Sequence, residues 1–181
     1  MPSLPLTPRF AVFGQPIAHS KSPVIHQHFG KALGLSLDYQ AIELSPENLS
    51  ETLGQMHIDG LHGANITLPL KELAARVCID LSPAARYSGA VNTLIRKDKG
   101  WFGDNTDGIG LVRDLQRLDT PLKKAHVLLL GAGGASRGVV PALFEAGVGR
   151  ILVANRSLER AHRLVMDMAE CGDLSACGLN D

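Results

Sequence analysis

The stretch HVLLLGAGGASRGVVPALFEAG, His126 to Gly147, decides the fold. It opens with an apolar run of strand length, passes through a cluster of glycines, and continues with Val139, Val140, Leu143 and Phe144 at helical spacing. Gly131 allows a sharp turn after the strand. Gly133 lets backbone N–H groups approach a pyrophosphate at the helix N-terminus, where the dipole favours anions. The third position of the G-x-G-x-x-G/A pattern is Ser136, so the match is imperfect. Two readings stand. Gly131, Ala132, Gly133, Gly134, Ala135 and Ser136 form a dinucleotide-binding turn, which the flanking strand and helix favour, or the segment is a purely structural strand-to-helix turn.

Downstream, RILVAN reads as the next strand, and the position after it would carry an acidic residue in an NAD site. Here the chain has Asn155-Arg156-Ser157, with Arg160 one helical turn on. A guanidinium suits a 2′-phosphate through paired, charge-assisted hydrogen bonds, and a carboxylate would repel it, so NADP is favoured over NAD. The alternative is that both arginines are solvated residues at a helix start, with Glu159 close by. The remaining AECGDLSACGLND shows no further strong strand. The second domain is therefore expected to stop after two βα units.

Upstream the same alternation repeats, which makes this an α/β chain. FAVFG, Phe10 to Gly14, reads as a strand. Ser22-Pro23 offers an N-cap and a first-turn proline for a helix over Pro23 to Leu33 that Gly34 closes. Leu37 to Leu44 reads as a strand, Ser45-Pro46-Glu47 as a helix start, LHGANITL as a third strand and Lys71 to Cys78 as a helix. AVNTLIRKDKGWFGDN reads as a hairpin turning at Lys97 to Gly100, in which Trp101 packs. Asn105 or Thr106 then caps a helix that carries Ile109, Leu111, Val112, Leu115 and Leu118 toward a core. A domain boundary is expected near Thr120 to Lys124, giving domains 1–120 and 121–181.

Bulk composition narrows the class of function. The chain has 181 residues, 45% hydrophobic, with 18 basic and 18 acidic side chains, so it has material for a core and no global charge for nucleic acid or an acidic membrane. Its partner is expected to be a small molecule or another protein, and the chain is expected to be a monomer or a homodimer. The three cysteines, Cys78, Cys171 and Cys177, form no C-x-x-C pair and read as reduced thiols of a cytoplasmic protein. MPSLPLTPRF lacks a leader pattern, and no stretch has the length and apolarity of a membrane span. His26 and His28, two apart on a helix, face different ways, so no metal site is expected.

Three polar clusters remain. In AHSKSP, Ser20 and Ser22 bring hydroxyls to a helix N-terminus, where they either meet a substrate carboxylate or merely cap. In GANITLPLK, Asn65 and Thr67 share a strand face and Lys71 follows past Pro69; read alone, this is a solvated face. In GDNTDGIG, the acidic residues at a helix start are caps or dipole partners, although a carboxylate beside a lysine forms a pair able to hold and move a proton. Spacing does not show that Lys71 and Asp107 meet.

FGQPIAHSKSP, GANITLPLK, GAVNTL, GDNTDGIG and GAGGASRG, in this order and spacing, resemble the shikimate dehydrogenase family from Phe13 to about Arg160. The resemblance implies an N-terminal α/β substrate-binding domain followed by a Rossmann-like NADP-binding domain. It implies reversible NADPH-dependent reduction of 3-dehydroshikimate to shikimate in aromatic amino acid biosynthesis. It further implies that Ser20 and Ser22 bind the substrate carboxylate, that Asn65, Thr67 and Asn92 line the pocket, and that Lys71 and Asp107 serve catalysis. Asn155, Arg156 and Ser157, with Arg160, match the family's 2′-phosphate motif, serine standing where the family has threonine.

Family members continue beyond this length, with the rest of the nucleotide-binding sheet, a loop over the nicotinamide and a C-terminal glutamine. The chain is therefore expected to be an incomplete form, with a partial NADP domain. Two alternatives accompany the dehydrogenase reading: a non-catalytic fragment that binds shikimate only, and a quinate/shikimate dehydrogenase.

Overall fold

A computed structural model describes residues 7–180. Met1–Leu6, most of the MPSLPLTPRF stretch, and Asp181, the last residue of the expected second domain, lie outside the described residues. Contacts divide the chain into two compact units, one of residues 7–81 with Val91–Asp104, the other of Ser82–Ala90 with 105–180.

The first unit is built on a six-stranded sheet. Its strands are β1 (Arg9–Gly14), β2 (Asp38–Glu43), β3 (Gly63–Ile66), β4 (Asp80–Leu81), β5 (Thr93–Lys97) and β6 (Gly100–Asp104), in the order β2-β1-β3-β5-β6-β4. β1 lies between parallel neighbours, with Val12 opposite Ala41 and Asn65. That position explains the unbroken apolar run of β1, whose Ala11, Val12 and Phe13 are all buried. β5 and β6 form the expected antiparallel hairpin, Lys97 facing Gly100 across its turn. Trp101 is buried there and donates from Nε1 to the Leu53 carbonyl at 2.9 Å.

The helices of this unit are α1 (Ser22–Ala32), α2 (Leu49–Ile58) and α3 (Lys71–Val77). The start of α1 differs from expectation. Lys21, with helical dihedrals and no side-chain capping bond, takes the N-cap position, so Ser22 is already the first residue of the helix. Instead the Ser22 N–H donates to Ser20 Oγ at 3.3 Å. At the other end Gly34, with φ +68°, releases the chain, and the Leu35 N–H returns to the Gly30 carbonyl at 2.8 Å, as a glycine past a helix end allows.

The second unit holds α4 (Pro83–Ser88), α5 (Asp107–Arg117), β7 (His126–Leu130), α6 (Gly134–Glu145), β8 (Arg150–Asn155), α7 (Leu158–Asp167) and β9 (Leu174–Gly178). The three strands are parallel in the order β7-β8-β9. β9 corrects the expectation that the tail holds no strand. LSACG is too short and too weakly apolar to declare itself, and it becomes a strand by pairing residue for residue with β8, Leu174 on Ile151 through Gly178 on Asn155. The unit therefore contains a whole βαβαβ series, the count of one mononucleotide-binding half.

Ile151, Val153, Val140, Leu143, Ala161, Leu164 and Met168 form its buried core. On α5 only Val112 and Leu115 pack against that core; Ile109, Leu111 and Leu118, expected to join them, are exposed. α4 and α5 belong to this unit by contact, although the sequence boundary near residue 120 assigns them to the first domain. The physical reason is their packing on α6.

Candidate functional site

In the first unit the parallel strands β1 and β3 end together. A Cβ on Gly14 would collide with Thr67 Cγ2 and lie 3.0 Å from the Leu68 carbonyl, so the two chain exits touch closely. The Thr67 N–H donates to the Phe13 carbonyl at 2.9 Å, and the Gln15 N–H to that of Leu68 at 3.0 Å. Loops beyond the carboxyl ends of parallel strands are where α/β sheets commonly bind ligands. Of the expected residues, Ser20 and Ser22 follow β1, Asn65 lies on β3, and Thr67 lies just beyond it. Lys71 is the first residue of α3, and Asn92 immediately precedes β5.

Several of these are joined by hydrogen bonds. The Tyr39 hydroxyl donates to Asn65 Oδ1 at 2.5 Å. Asn65 Nδ2 points to the Asn92 carbonyl at 3.3 Å and to Thr93 Oγ1 at 3.5 Å, and Thr93 Oγ1 donates to Asn92 Oδ1 at 2.8 Å. The Ser22 side chain also bonds to Tyr39. Lys71 is tied through its carbonyl, which accepts from the Val91 N–H at 2.9 Å. Ser20, Ser22, Asn65, Thr67, Lys71 and Asn92 are all half-buried, so each is anchored and still reachable from solvent.

Sequence reasoning missed Tyr39. Its ring is buried and stacks on His26 at 4.3 Å between centroids, and burial pushes its hydroxyl up to about 12 although the bond from Ser22 works the other way. A tyrosine in a half-apolar strand gives no spacing signal. Only its partners reveal that it links the serine loop to β3.

Asp107 belongs to the other unit, at the first position of α5. Asn105, buried, fixes the approach to it. Asn105 Oδ1 accepts the Asp107 N–H at 3.0 Å, while Nδ2 donates to the Ala90 carbonyl at 2.9 Å and to Ser88 Oγ at 3.4 Å. The capping role expected of Asn105 or Thr106 thus falls to Asn105, which serves the Asp107 N–H; Thr106 makes no side-chain cap bond.

The glycine turn joins β7 to α6. Gly131 has φ +104°, a conformation suited to glycine, and Ser136 Oγ donates to its carbonyl at 2.8 Å. The serine that breaks the glycine pattern thereby clasps the turn. A Cβ on Gly133 would meet nothing within 4 Å, so the backbone beside the α6 N-terminus is open to an approaching group. Gly131, Ala132, Gly133, Gly134, Ala135 and Ser136 all lie in this turn or the first turn of α6.

Asn155 ends β8 and donates from Nδ2 to the Ser157 carbonyl at 2.8 Å; Ser157 Oγ caps α7 by accepting from the Arg160 N–H at 3.4 Å. Glu159 pairs with Arg163 at 3.1 Å. Arg156 and Arg160 are exposed, and neither guanidinium is ion-paired or hydrogen-bonded among the described residues. An open glycine cradle with two uncommitted guanidinia at the end of the next strand fits a dinucleotide carrying an extra phosphate.

The fold defines a class: an α/β protein with a polar cluster at the strand ends of one unit and a Rossmann-like βαβαβ series in the other. Comparison with known proteins narrows it. The chain matches the family profile described as shikimate dehydrogenase substrate binding domain over residues 12–94, and that described as shikimate / quinate 5-dehydrogenase over residues 114–181. It is 54% identical over 174 residues to the shikimate dehydrogenase (NADP(+)) of Xanthomonas campestris pv. campestris (strain 8004), covering 96% of this chain and 62% of that protein. To the same-named protein of Xylella fastidiosa (strain M12) it is 53% identical, covering 93% of this chain and 60% of that one. The crystal structure of shikimate 5-dehydrogenase from Thermus thermophilus in complex with NADP(H) and shikimate superposes with a TM-score of 0.84 at 40% identity, over 94% of this chain and 63% of that one. The chain belongs to the shikimate dehydrogenase family, and it spans about three fifths of the length of these relatives.

Proposed function

We propose that the protein to which this chain belongs is an NADP-dependent shikimate dehydrogenase, reversibly reducing 3-dehydroshikimate to shikimate on the route to aromatic amino acids. The observation that carries the reading is the alignment of 96% of the chain, at 54% identity, with a curated shikimate dehydrogenase (NADP(+)). As a functional division, residues 1–120 bind substrate and residues 121–181 form the first part of the NADP-binding region. Reduced Cys78, Cys171 and Cys177 suit a cytoplasmic protein, acting as a monomer or homodimer.

Ser20 and Ser22 offer hydroxyls to the substrate carboxylate, and Thr67, Asn65 and Asn92 offer donors and acceptors to the remaining oxygens. Backbone N–H groups from Gly131 to Ser136 would hold the pyrophosphate, and Asn155, Arg156, Ser157 and Arg160 would take the 2′-phosphate. Bound NADPH supplies the hydride. Ketone reduction also needs a proton at the oxygen that becomes a hydroxyl. Lys71 stabilises the developing negative charge there and delivers that proton, and Asp107 serves as the second acid–base group of the reaction.

The test is turnover. A chain carrying this sequence is mixed with shikimate and NADP, and reduced nicotinamide is followed by absorbance. Lys71→Ala should lower kcat by about 10²- to 10⁴-fold, the usual worth of acid–base catalysis, with NADP affinity kept. Near-normal kcat in that variant would remove Lys71 from proton transfer. Binding of shikimate in calorimetry without turnover by the 181-residue chain would favour the reading as a substrate-binding fragment. Equal kcat/KM for quinate would favour the broader quinate/shikimate type that the second family profile includes.

A further inference from the structure

We propose that Gly138 is a positioning residue for the carboxylate of Asp107, so that the helix beginning at the glycine turn also sets the place of the acid–base aspartate. Gly138 lies in the second turn of α6, beyond the glycine turn and outside the dinucleotide pattern. A Cβ built on it would come within 2.7 Å of Asn105 Oδ1, 2.9 Å of Asn105 Nδ2 and 3.1 Å of Asp107 Oδ2. The Asn105 amide and the Asp107 carboxylate therefore rest on a surface that exists only because residue 138 has no side chain.

Asn105 has little freedom to yield. It is buried, its Oδ1 holds the Asp107 N–H, and its Nδ2 is committed to Ala90 and Ser88. Retreat of the α5 start is also limited at the next position. A Cβ on Gly108 would lie 2.5 Å from the Gly138 carbonyl and 2.7 Å from Ala142 Cβ, so the two helices meet backbone to backbone at paired glycines. An added methyl at 138 must displace the Asn105–Asp107 pair. By contrast a Cβ on Gly110, further along α5, would meet nothing within 4 Å.

The proposal rests on the acid–base role given to Asp107 above, and the experiment separates the two. Gly138→Ala, Gly108→Ala, Gly110→Ala, Asp107→Asn and the double variant Gly138→Ala/Asp107→Asn are made in a chain active toward shikimate and NADP. Each is assayed where circular dichroism shows it folded. Gly138→Ala and Gly108→Ala should lower kcat by about 10- to 100-fold and change the pH dependence of kcat, with the KM for NADP held within about twofold. Gly110→Ala should keep kcat. In the Asp107→Asn background, Gly138→Ala should cost no more than about twofold further, because the group it positions is already gone. Unchanged kcat in folded Gly138→Ala and Gly108→Ala, with Asp107→Asn inactive, overturns the positioning role alone. Equal losses from Gly138→Ala in both backgrounds also overturn it. Unchanged kcat in Asp107→Asn overturns both the positioning role and the reading of Asp107 beneath it.

Discussion

Tyr39 joins structure to titration. Its hydroxyl sits in a buried position between Ser22 and Asn65, and desolvation raises it from 10.0 to about 12. Below pH 10 folded and unfolded chains both hold the proton. Between about pH 10 and 12 the unfolded chain releases it while the folded chain retains it, so stability falls through that window. Cys78, raised from 9.0 to about 11 by burial, adds an earlier loss between about pH 9 and 11. Denaturant unfolding followed from about pH 8 to 12 should show a shallower decline for Tyr39→Phe between about pH 10 and 12, with the Cys78 part unchanged. Identical slopes in the two proteins would mean that Tyr39 does not carry the buried proton. Tyr39 also shows where residue reading stops. Ser20, Ser22, Asn65 and Thr67 are visible in the sequence as polar side chains in a pattern, but the group linking two of them is a strand tyrosine with no pattern of its own.

At the scale of elements, α7 shows a helix start whose charges are divided by partner. Its buried face is Ala161 and Leu164, continued by Met168, and Ser157 caps it. Glu159 and Arg163 neutralise each other across one turn, which leaves Arg156 and Arg160 as the uncommitted cations at the β8 exit among the described residues. Replacing both with glutamine should raise the KM for NADP by roughly tenfold or more per arginine, given about 1.5–3 kcal/mol for a hydrogen bond to a charged group. The KM for NAD, which has no 2′-phosphate, should hardly move. A parallel rise for both cofactors in steady-state kinetics would argue against 2′-phosphate recognition.

Elements with strong apolar runs and clear punctuation are legible in the sequence: β1, the β5–β6 hairpin, and the β7-turn-α6 unit. β9 is not, because its five residues are all half-buried and its pairing with β8 is a non-local fact. α4 is legible in principle. Ser82 and Pro83 repeat the serine-proline signal of α1, the Ser82 Oγ accepts the Ala85 N–H at 3.1 Å, and Gly89 with φ +64° ends the helix. At α5 apolar content misleads. Ile109 and Leu111, two apart on a helix, face different ways and cannot share one stripe, and only Val112 and Leu115 meet the core.

At the scale of the molecule, the second unit is assembled from two separate stretches of chain. The polypeptide passes between units at Leu81–Ser82, Ala90–Val91 and Asp104–Asn105. A chain of residues 1–120 would keep α4 and α5 but lose α6, against which both pack. Exposing Val112, Leu115 and the paired-glycine surface of Gly108 should make it self-associate. A chain ending at Asp104, with residues 82–90 replaced by a short Gly/Ser linker, should stay monomeric in analytical ultracentrifugation. Monomeric behaviour and a cooperative melt from the 1–120 chain would contradict this. The sequence boundary near residue 120 follows the polar LDTPLKKAH segment, which is where composition changes. It does not follow the contacts, which depend on glycines on separate helices meeting face to face.

The interleaved path also constrains how this protein could be recombined with its relatives. A crossover at residue 121 would inherit Gly108 and Asn105 from one parent and Gly138 from the other, splitting a contact with no room for a single methyl. Chimeras broken at Leu81, Ala90 and Asp104 would carry each unit whole. In a genealogy of such genes, residues 82–90 should therefore travel with the nucleotide half, although they are encoded in the middle of the other one.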